Sequence, residues 1–294
     1  MLPFASAATR DGVGASSCTV PDGAPPTVLA FLQARFPAMA DEWPPRLARG
    51  LVVDDRGEAL GADSRCLPGM RIRYWREVAD EPEIPGDAPI LFRDERLLVV
   101  DKPHFLPVMP AGRFVQQSLL VRLRRDTGIG DLAPLHRIDR GTAGVVLFSV
   151  NACTRGAYQQ LFARREMHKR YEALAAPVDL DFPLTRASRI VRGEPFFRMR
   201  EIAGEPNAQT RIALARVDGA LARYDLWPLT GRTHQLRVHL AALGAPIVND
   251  RMYPELLAEA EDDYSRPLKL LARSIGFVDP VSGEQREFSS ARDL

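Results

Sequence analysis

The stretch Pro134-Leu-His-Arg-Ile-Asp-Arg-Gly-Thr-Ala-Gly-Val-Val-Leu-Phe148 constrains the fold more than any other part of the chain. Val145 to Phe148 is apolar at every position and reads as a fully buried strand, with Gly141 and Gly144 supplying the turn before it. Asp139 stands between Arg137 and Arg140 at the mouth of that strand. A carboxylate so close to a buried strand needs a partner or a purpose. In the structural reading it caps the turn and pairs with an arginine. In the chemical reading it belongs to a site completed by distant segments.

A chain of 294 residues has room for one domain or two. Its 39 Lys plus Arg nearly cancel 38 Asp plus Glu, so any surface for a nucleic acid must be local. Cys18, Cys66 and Cys153 form neither a CxxC pair nor an even disulfide framework, which suits a reducing cytoplasm and offers no zinc site. No apolar run approaches the roughly 18 residues of a membrane span. The N-terminus has no basic segment leading into an apolar block, so the expectation is a soluble cytoplasmic protein that is not exported.

Residues 1–23 are rich in Ala, Ser, Gly and Thr without periodicity and read as a mobile leader. Val28, Leu29, Leu32 and Phe36 then share one helical face that Pro37 closes, and a second short helix is expected over Pro45 to Arg49. Leu51 to Val53 reads as a strand, and Pro68-Gly69 turns the chain into a last one over Met70 to Arg76. There Met70, Ile72 and Tyr74 alternate with Arg71, Arg73 and Trp75. From Glu77 to Ala88 the composition shifts to Glu, Asp, Pro and Gly, which marks a linker over residues 78–88.

Beyond it, Pro89 to Phe92 and Leu97 to Val100 flank a charged turn and read as a hairpin. Helices are expected at Ser118 to Arg125 and at Cys153 to Arg165. His168 to Leu174 alternates, placing Tyr171, Ala173 and Ala175 on one face of a strand and Arg170, Glu172 and Leu174 on the other. Arg186, Arg189, Arg192, Arg198 and Arg200 form the local basic stretch that the overall balance conceals, although a solvated loop would look the same. Asp218-Gly219 joins two alternating runs as a tight hairpin. Thr233 is placed to cap a helix with Leu236, Leu240 and Leu243 on its buried stripe and Gly244 at its end. Arg237 lies at the edge of that stripe, where an arginine normally finds a carboxylate. Glu255 to Asp263 reads as an acidic helical insertion, and Leu268 to Ala272 with Ser274 to Val278 as closing strands. The fold class expected is α+β, with a mixed, largely antiparallel sheet around a central cleft and a small α/β domain before it.

The chain has no GxSxG elbow, P-loop, GxGxxG after a strand or HExxH, and His234 and His239, five apart, fall on different sides of a helix. What is left is Asp139, Arg137, Tyr171 and Arg237, spread over three segments. His136-Arg-Ile-Asp-Arg-Gly-Thr-Ala-Gly144, Lys169-Arg-Tyr171 and Gly231-Arg-Thr-His-Gln-Leu-Arg-Val-His239 resemble the three signature segments of RluA-type pseudouridine synthases. Leu98-Val-Val-Asp-Lys-Pro103 and Gly244-Ala-Pro-Ile-Val-Asn-Asp250 match the family in the same order, so the likeness covers essentially the whole of residues 89–294. Residues 24–77, with two helices, Gly50-Leu-Val-Val53 and Pro68-Gly-Met70 before the final strand, resemble the S4 RNA-binding module in spacing.

The resemblance implies an isomerase that detaches a uridine base in RNA, turns it and rejoins it to ribose through carbon, without a metal or organic cofactor. Asp139 matches the catalytic aspartate, Arg237 the arginine paired with it, Tyr171 the tyrosine packed on the base, and Arg137 the residue that fills the gap left by the flipped nucleotide. His136, Arg232, Arg189 and Arg192 join Arg137 as expected RNA contacts, and Arg46 and Arg49 of the S4-like module would face phosphates. Three roles are open to Asp139: attack on ribose C1′, attack on the base, or proton abstraction. Ile138 replaces the usual leucine, Ala143 the common serine, and Leu271 falls where many relatives carry histidine. The expected partner is ribosomal or transfer RNA, and the expected state a monomer. A non-catalytic RNA-binding protein that keeps the fold is the rival reading. A glycoside hydrolase would need a second carboxylate at a suitable distance.

Overall fold

In the computed structural model, which describes residues 9–78, 81–258 and 260–294, the chain forms two units. The first comprises the described residues up to Glu81 together with 112–116 and 121–130. It begins with β1 (Thr9–Arg10), β2 (Val13–Gly14) and β3 (Ser16–Thr19). Residues 1–8 of the expected leader lie outside the described residues. The remainder of that leader is structured, since Ser16 to Thr19 pair with Tyr74 to Arg71 as one edge of a three-stranded sheet.

Helix α1 (Val28–Arg35) starts where the Thr27 hydroxyl accepts the Ala30 N–H, as a capping threonine does. A 3₁₀ turn over Pro37–Glu42 leads into α2 (Trp43–Ala48), and Gly50, at φ 64°, releases the chain into β4 (Val52–Val53). After the Pro68-Gly69 turn comes β5 (Arg71–Tyr74). Val28, Leu32, Trp43, Val52 and Ile72 are fully buried together, and burying each stabilises the unit by about 1.5–3 kcal/mol. Trp75, expected to alternate outward with the arginines, is instead buried. It packs with Val13, Val53, Val115 and Val121 because residues 112–116 and helix α3 (Leu119–Thr127) return to cover the other face of the sheet. That return, by residues well beyond the expected linker, has no signal in the sequence.

The second unit is one sheet of eleven strands. In chain order they are β6 (Ile90–Arg93), β7 (Leu97–Lys102), β8 (Ala133–Pro134), β9 (Ala143–Ser149), β10 (His168–Ala175), β11 (Leu184–Arg192), β12 (Met199–Ile202), β13 (Ala208–Asp218), β14 (Leu221–Pro228), β15 (Leu270–Val278) and β16 (Gln285–Ser289). The order across the sheet is β12-β11-β13-β14-β10-β15-β9-β7-β6, with β16 on β15 and β8 on β9. Every pair is antiparallel except β15 with β9. The expected closing strands are thus one strand, and β16 is an addition. Helix α4 (Ala152–Arg164), capped by Asn151, packs Tyr158 and Leu161 against one face, and α5 (Gln235–Ala242) lies with the cluster around Ile212, Tyr224 and Leu226.

Strand β10 divides its faces as its alternation implies. Tyr171, Ala173 and Ala175 join the core, while Glu172 on the opposite face binds Arg273 at 2.7 Å and Arg223 at 2.8 Å. The expected helix over 255–263 is absent from its described residues, residue 259 lying outside them. Arg251 donates instead to the carbonyls of Ala258 (2.6 Å) and Ala260 (3.3 Å), holding the segment as a loop. Among the described residues no helix is long and apolar enough to cross a membrane.

Candidate active site

Asp139 sits on the turn between β8 and β9, and the register of the sheet brings its neighbours to it. Gly144 at the start of β9 lies beside Ala272 of β15, which lies beside Tyr171 of β10. Gly144 adopts φ 113°, and a Cβ there would stand 2.2 Å from the Ala272 carbonyl oxygen. Only glycine lets the one parallel pair in the sheet close at this level.

The turn itself is gripped through its carbonyls. Lys102, fully buried at the end of β7, donates to the carbonyls of Pro103 (2.9 Å), Leu106 (2.7 Å) and Arg140 (3.2 Å), the full complement of an ammonium. Burial pulls its pKa well down, and the Asp139 charge works in the opposite direction. His104 Nδ1–H donates to the next carbonyl, Gly141, at 2.7 Å. Two consecutive peptide groups beside Asp139 are therefore fixed by side chains 38 and 37 residues earlier in the chain. The Asp139 backbone closes the turn by accepting the Thr142 N–H at 3.1 Å.

Arg237, expected to hold Asp139, does so with one nitrogen: Nη1 donates to Oδ2 at 3.2 Å. Its stronger attachment is to Asp250, which accepts from Nε and Nη2 at 2.7 Å each. The Asp250 carboxylate is completely buried and also accepts the Met252 N–H at 2.8 Å. Burial works against the Arg237 charge, but the Asp250 and Asp139 carboxylates outweigh it and raise its pKa above the ordinary value. Asp250 is a second carboxylate near Asp139, yet it is sealed behind the arginine, so the acid pair of a glycoside hydrolase is not assembled.

Helix α5 is not capped by Thr233. Its N-cap is His234 in the left-handed region at φ 54°, without a side-chain capping bond. Gln235 instead organises the preceding loop, accepting from Thr230 Oγ1 (2.7 Å) and the Arg232 N–H (3.0 Å) and donating to the Gln209 carbonyl (2.9 Å). The twisted cap directs His234 Nε2 toward Asp139 Oδ2 at 3.9 Å, while Nδ1 lies 2.9 Å from the Tyr253 hydroxyl. Tyr253 accepts the Met199 N–H at 2.7 Å, which leaves its own proton for Nδ1 and places the imidazole proton on Nε2, facing Asp139. Burial lowers the His234 pKa more than the Asp139 charge raises it, so the ring is neutral.

Arg237 and His234 both address Oδ2, and Oδ1 of Asp139 accepts no hydrogen bond from the described residues. The Asp139 side chain, 27% exposed, lines a cavity of about 1100 Å³ that also takes in Tyr171, Arg137, Arg232, Lys169 and Met109. Tyr171 is a neutral phenol, its pKa pushed up by burial and then by the Asp139 charge.

The other expected site residues fall into two groups. Arg137 and Arg232 are exposed on the cavity wall, Arg189 and Arg192 are exposed on β11, and Arg49 is exposed but paired with Glu77 at 2.6 Å. Arg46, expected to face a phosphate, is instead buried, pairs with Glu42 one turn earlier, and lies 5.2 Å over the Trp43 ring, so it is not available to a phosphate. His136 lines the cavity, but its Nε2 accepts the Leu147 N–H at 3.1 Å and its ring stacks on Phe162 at 5.1 Å. Burial and then the Lys169 charge hold its pKa down at about 3. Arg140, which had no assigned role, binds Asp262 at 2.9 Å. Lys102 and Asp250 lie inside motifs read from the sequence without a role attached. His104 and Tyr253 carry no local signal at all.

A family model described as RNA pseudouridylate synthase matches residues 96–242, the span that carries Asp139, Tyr171 and Arg237. The chain belongs to that family. A dual-specificity RNA pseudouridine synthase RluA of Haemophilus influenzae is 30% identical, over 72% of this chain and 97% of its own length. A tRNA pseudouridine(31) synthase of Saccharomyces cerevisiae is also 30% identical, over 62% of this chain and 51% of its own. Among solved structures, human RNA pseudouridylate synthase domain containing 1 superposes with a TM-score of 0.57 at 26% identity, covering 71% of this chain and 86% of that one. The synthase is an isomerase that converts uridine in RNA to pseudouridine, and its α+β sheet is that of its structural neighbours.

Proposed function

We propose that Asp139 is the residue that acts on the target uridine, through the oxygen that neither Arg237 nor His234 engages. The carrying observation is the convergence of Asp139, Tyr171 and Arg237, from three distant segments, on one cavity with Oδ1 left open. The isomerisation breaks C1′–N1, turns the uracil, forms C1′–C5 and moves the C5 proton off the base, with N1 regaining one, so atoms and electrons balance within the substrate. A uridine inside a stack cannot present its glycosidic bond and must be extruded. A cavity of about 1100 Å³ exceeds the range of small-molecule sites, about 300–1,000 Å³, and suits a flipped nucleotide with part of its neighbours. Tyr171 packs the base, and Arg137, exposed at the rim, fills the vacancy in the stack.

The substrate class we assign is structured RNA, ribosomal or transfer, in keeping with the yeast relative's name. We read the first unit as an S4-like RNA-binding module. Two helices on a small sheet with exposed Arg49 and Arg71 support that reading, although the loss of Arg46 to the core weakens its basic face. The protein is taken as a cytoplasmic monomer, a compartment in which the free thiols of Cys18, Cys66 and Cys153 stay reduced. Pseudouridine mapping of RNA from cells lacking the gene, after incubation with the pure chain, tests the catalytic reading. New pseudouridine is expected with the wild type and none with Asp139→Asn. Equal yields from both would remove Asp139 from the mechanism, and none from either would favour the non-catalytic RNA binder.

A further inference from the structure

The hairpin formed by β11 and β12 carries an apolar feature that the catalytic reading does not use. Phe196 and Phe197 sit on its tip, and Phe196, at 74% exposure, is the most exposed large apolar side chain among the described residues. The two rings lie edge to face with centroids 5.6 Å apart. They are not needed to close the turn, because the Gly193 N–H donates to the Arg198 carbonyl and the Arg198 N–H to the Pro195 carbonyl, each at 2.8 Å.

The rest of the hairpin is basic and anchored. Register pairs Arg189 with Ile202 and Val191 with Arg200, which puts Arg189 and Arg200 on one face. The other face buries Ile190 and Met199 against Val238 of α5 and against Tyr253. Arg198 lies 5.2 Å over the Tyr253 ring, and the Met199 N–H binds the same tyrosine that binds His234 beside Asp139. Arg189, Arg192 and Arg200 have no carboxylate within ion-pair distance among the described residues. Across residues 184–202 there are five arginines and two glutamates.

We infer that the hairpin is a base-stacking finger: Phe196 and Phe197 take unpaired bases of the substrate RNA that flank the modified site, while Arg189 and Arg200, on one face, hold the adjoining phosphates. This rests on the RNA-modifying reading above and adds a substrate requirement to it, an unpaired segment outside the catalytic cavity. Every base has a face for an aromatic ring, so such a platform is tolerant of sequence and depends on single-strandedness. The positive rim favours RNA over an apolar protein partner.

The test is fluorescence anisotropy of the full chain with a labelled oligouridine of about 12 nucleotides and with an RNA duplex of matching length. Phe196→Ala with Phe197→Ala is expected to raise the Kd for oligouridine about 10-fold or more, and that for the duplex about 2-fold at most. Phe196→Leu with Phe197→Leu, which keeps apolar area without the ring face, should behave like the alanine pair, and Phe196→Tyr with Phe197→Tyr like the wild type. Thermal melts verify that the variants fold. Unchanged oligouridine affinity in the alanine pair, or full affinity in the leucine pair, overturns the inference. So does loss of self-association in the alanine pair at unchanged RNA affinity, which would assign the rings to a protein contact. Binding is read without turnover, so an absence of pseudouridine formation by the wild type would strike the catalytic reading and not this one.

Discussion

Arg237 gives two nitrogens to Asp250 at 2.7 Å each and a single, longer bond to Asp139 at 3.2 Å. The arginine is thus fixed by the buried carboxylate and offered to the exposed one. In the proposed reaction Asp139 would meet the substrate through Oδ1 while Arg237, anchored by Asp250, keeps its bond to Oδ2. Removing Asp250 leaves a buried guanidinium with one distant partner, and breaking a buried pair costs about 3–5 kcal/mol. Asp250→Ala should therefore unfold at much lower denaturant, and Asp250→Asn, which keeps the shape, should retain the fold while kcat falls. A chemical denaturation curve for each, beside kcat, checks this; wild-type stability in Asp250→Ala would refute the assignment.

His234 is the second group facing Oδ2, and its proton placement follows from the Tyr253 and Met199 contacts. His234→Ala should lower kcat about 10-fold with little change in KM, the split expected of a residue whose part is to orient the carboxylate. His234→Gln, whose amide can donate from nearly the same point, should recover most of the loss. Equal defects in both variants would point to the strained cap at φ 54°, not the donor, as the cause.

Four histidines are held neutral by burial: His104 and His239 at about 4, His136 at about 3, and His234, lowered by burial against the opposing pull of the Asp139 charge. Each binds a proton more readily in the unfolded chain, so stability rises with pH across the interval between the folded and ordinary values. Their contribution is complete above the ordinary value of 6.5 and is lost as the pH falls from there toward 4. The slope is at most about 1.4 kcal/mol per pH unit for each ring. Melting temperatures measured from about pH 7.5 down to about pH 4.5 should fall, and less steeply in His136→Gln, whose amide oxygen can still accept the Leu147 N–H. A parallel curve for that variant would exclude His136 from the effect.

Gly144→Ala places a methyl carbon 2.2 Å from the Ala272 carbonyl at a φ of 113°. Both the clash and the backbone strain act at the junction of β9 and β15, so a loss of about 3 kcal/mol or more is expected. Gly219→Ala, in an open turn with nothing near the added carbon, should cost about 1 kcal/mol for its positive φ alone. Similar melting temperatures for the two would contradict the role given to the β9–β15 contact.

Local pattern was enough for much of this protein. The alternation from His168 already placed Tyr171 on one face with Ala173 and Ala175, the Asp218-Gly219 hairpin formed where its dipeptide demanded, and α5 stopped just before Gly244. Asp139, Tyr171 and Arg237 were legible as a set because their chemistry sits inside three ordered motifs. What only the tertiary structure decided is who holds whom. Arg46 looked like a surface arginine until Glu42 and Trp43 enclosed it, and Asp250 looked like a motif end until both its oxygens met Arg237. Lys102 finds the Arg140 carbonyl 38 residues away. Periodicity reports the face a residue shows, over a few turns or strand steps. The partner waiting at that face is set by sheet register and chain return, which are cooperative properties of the packed whole.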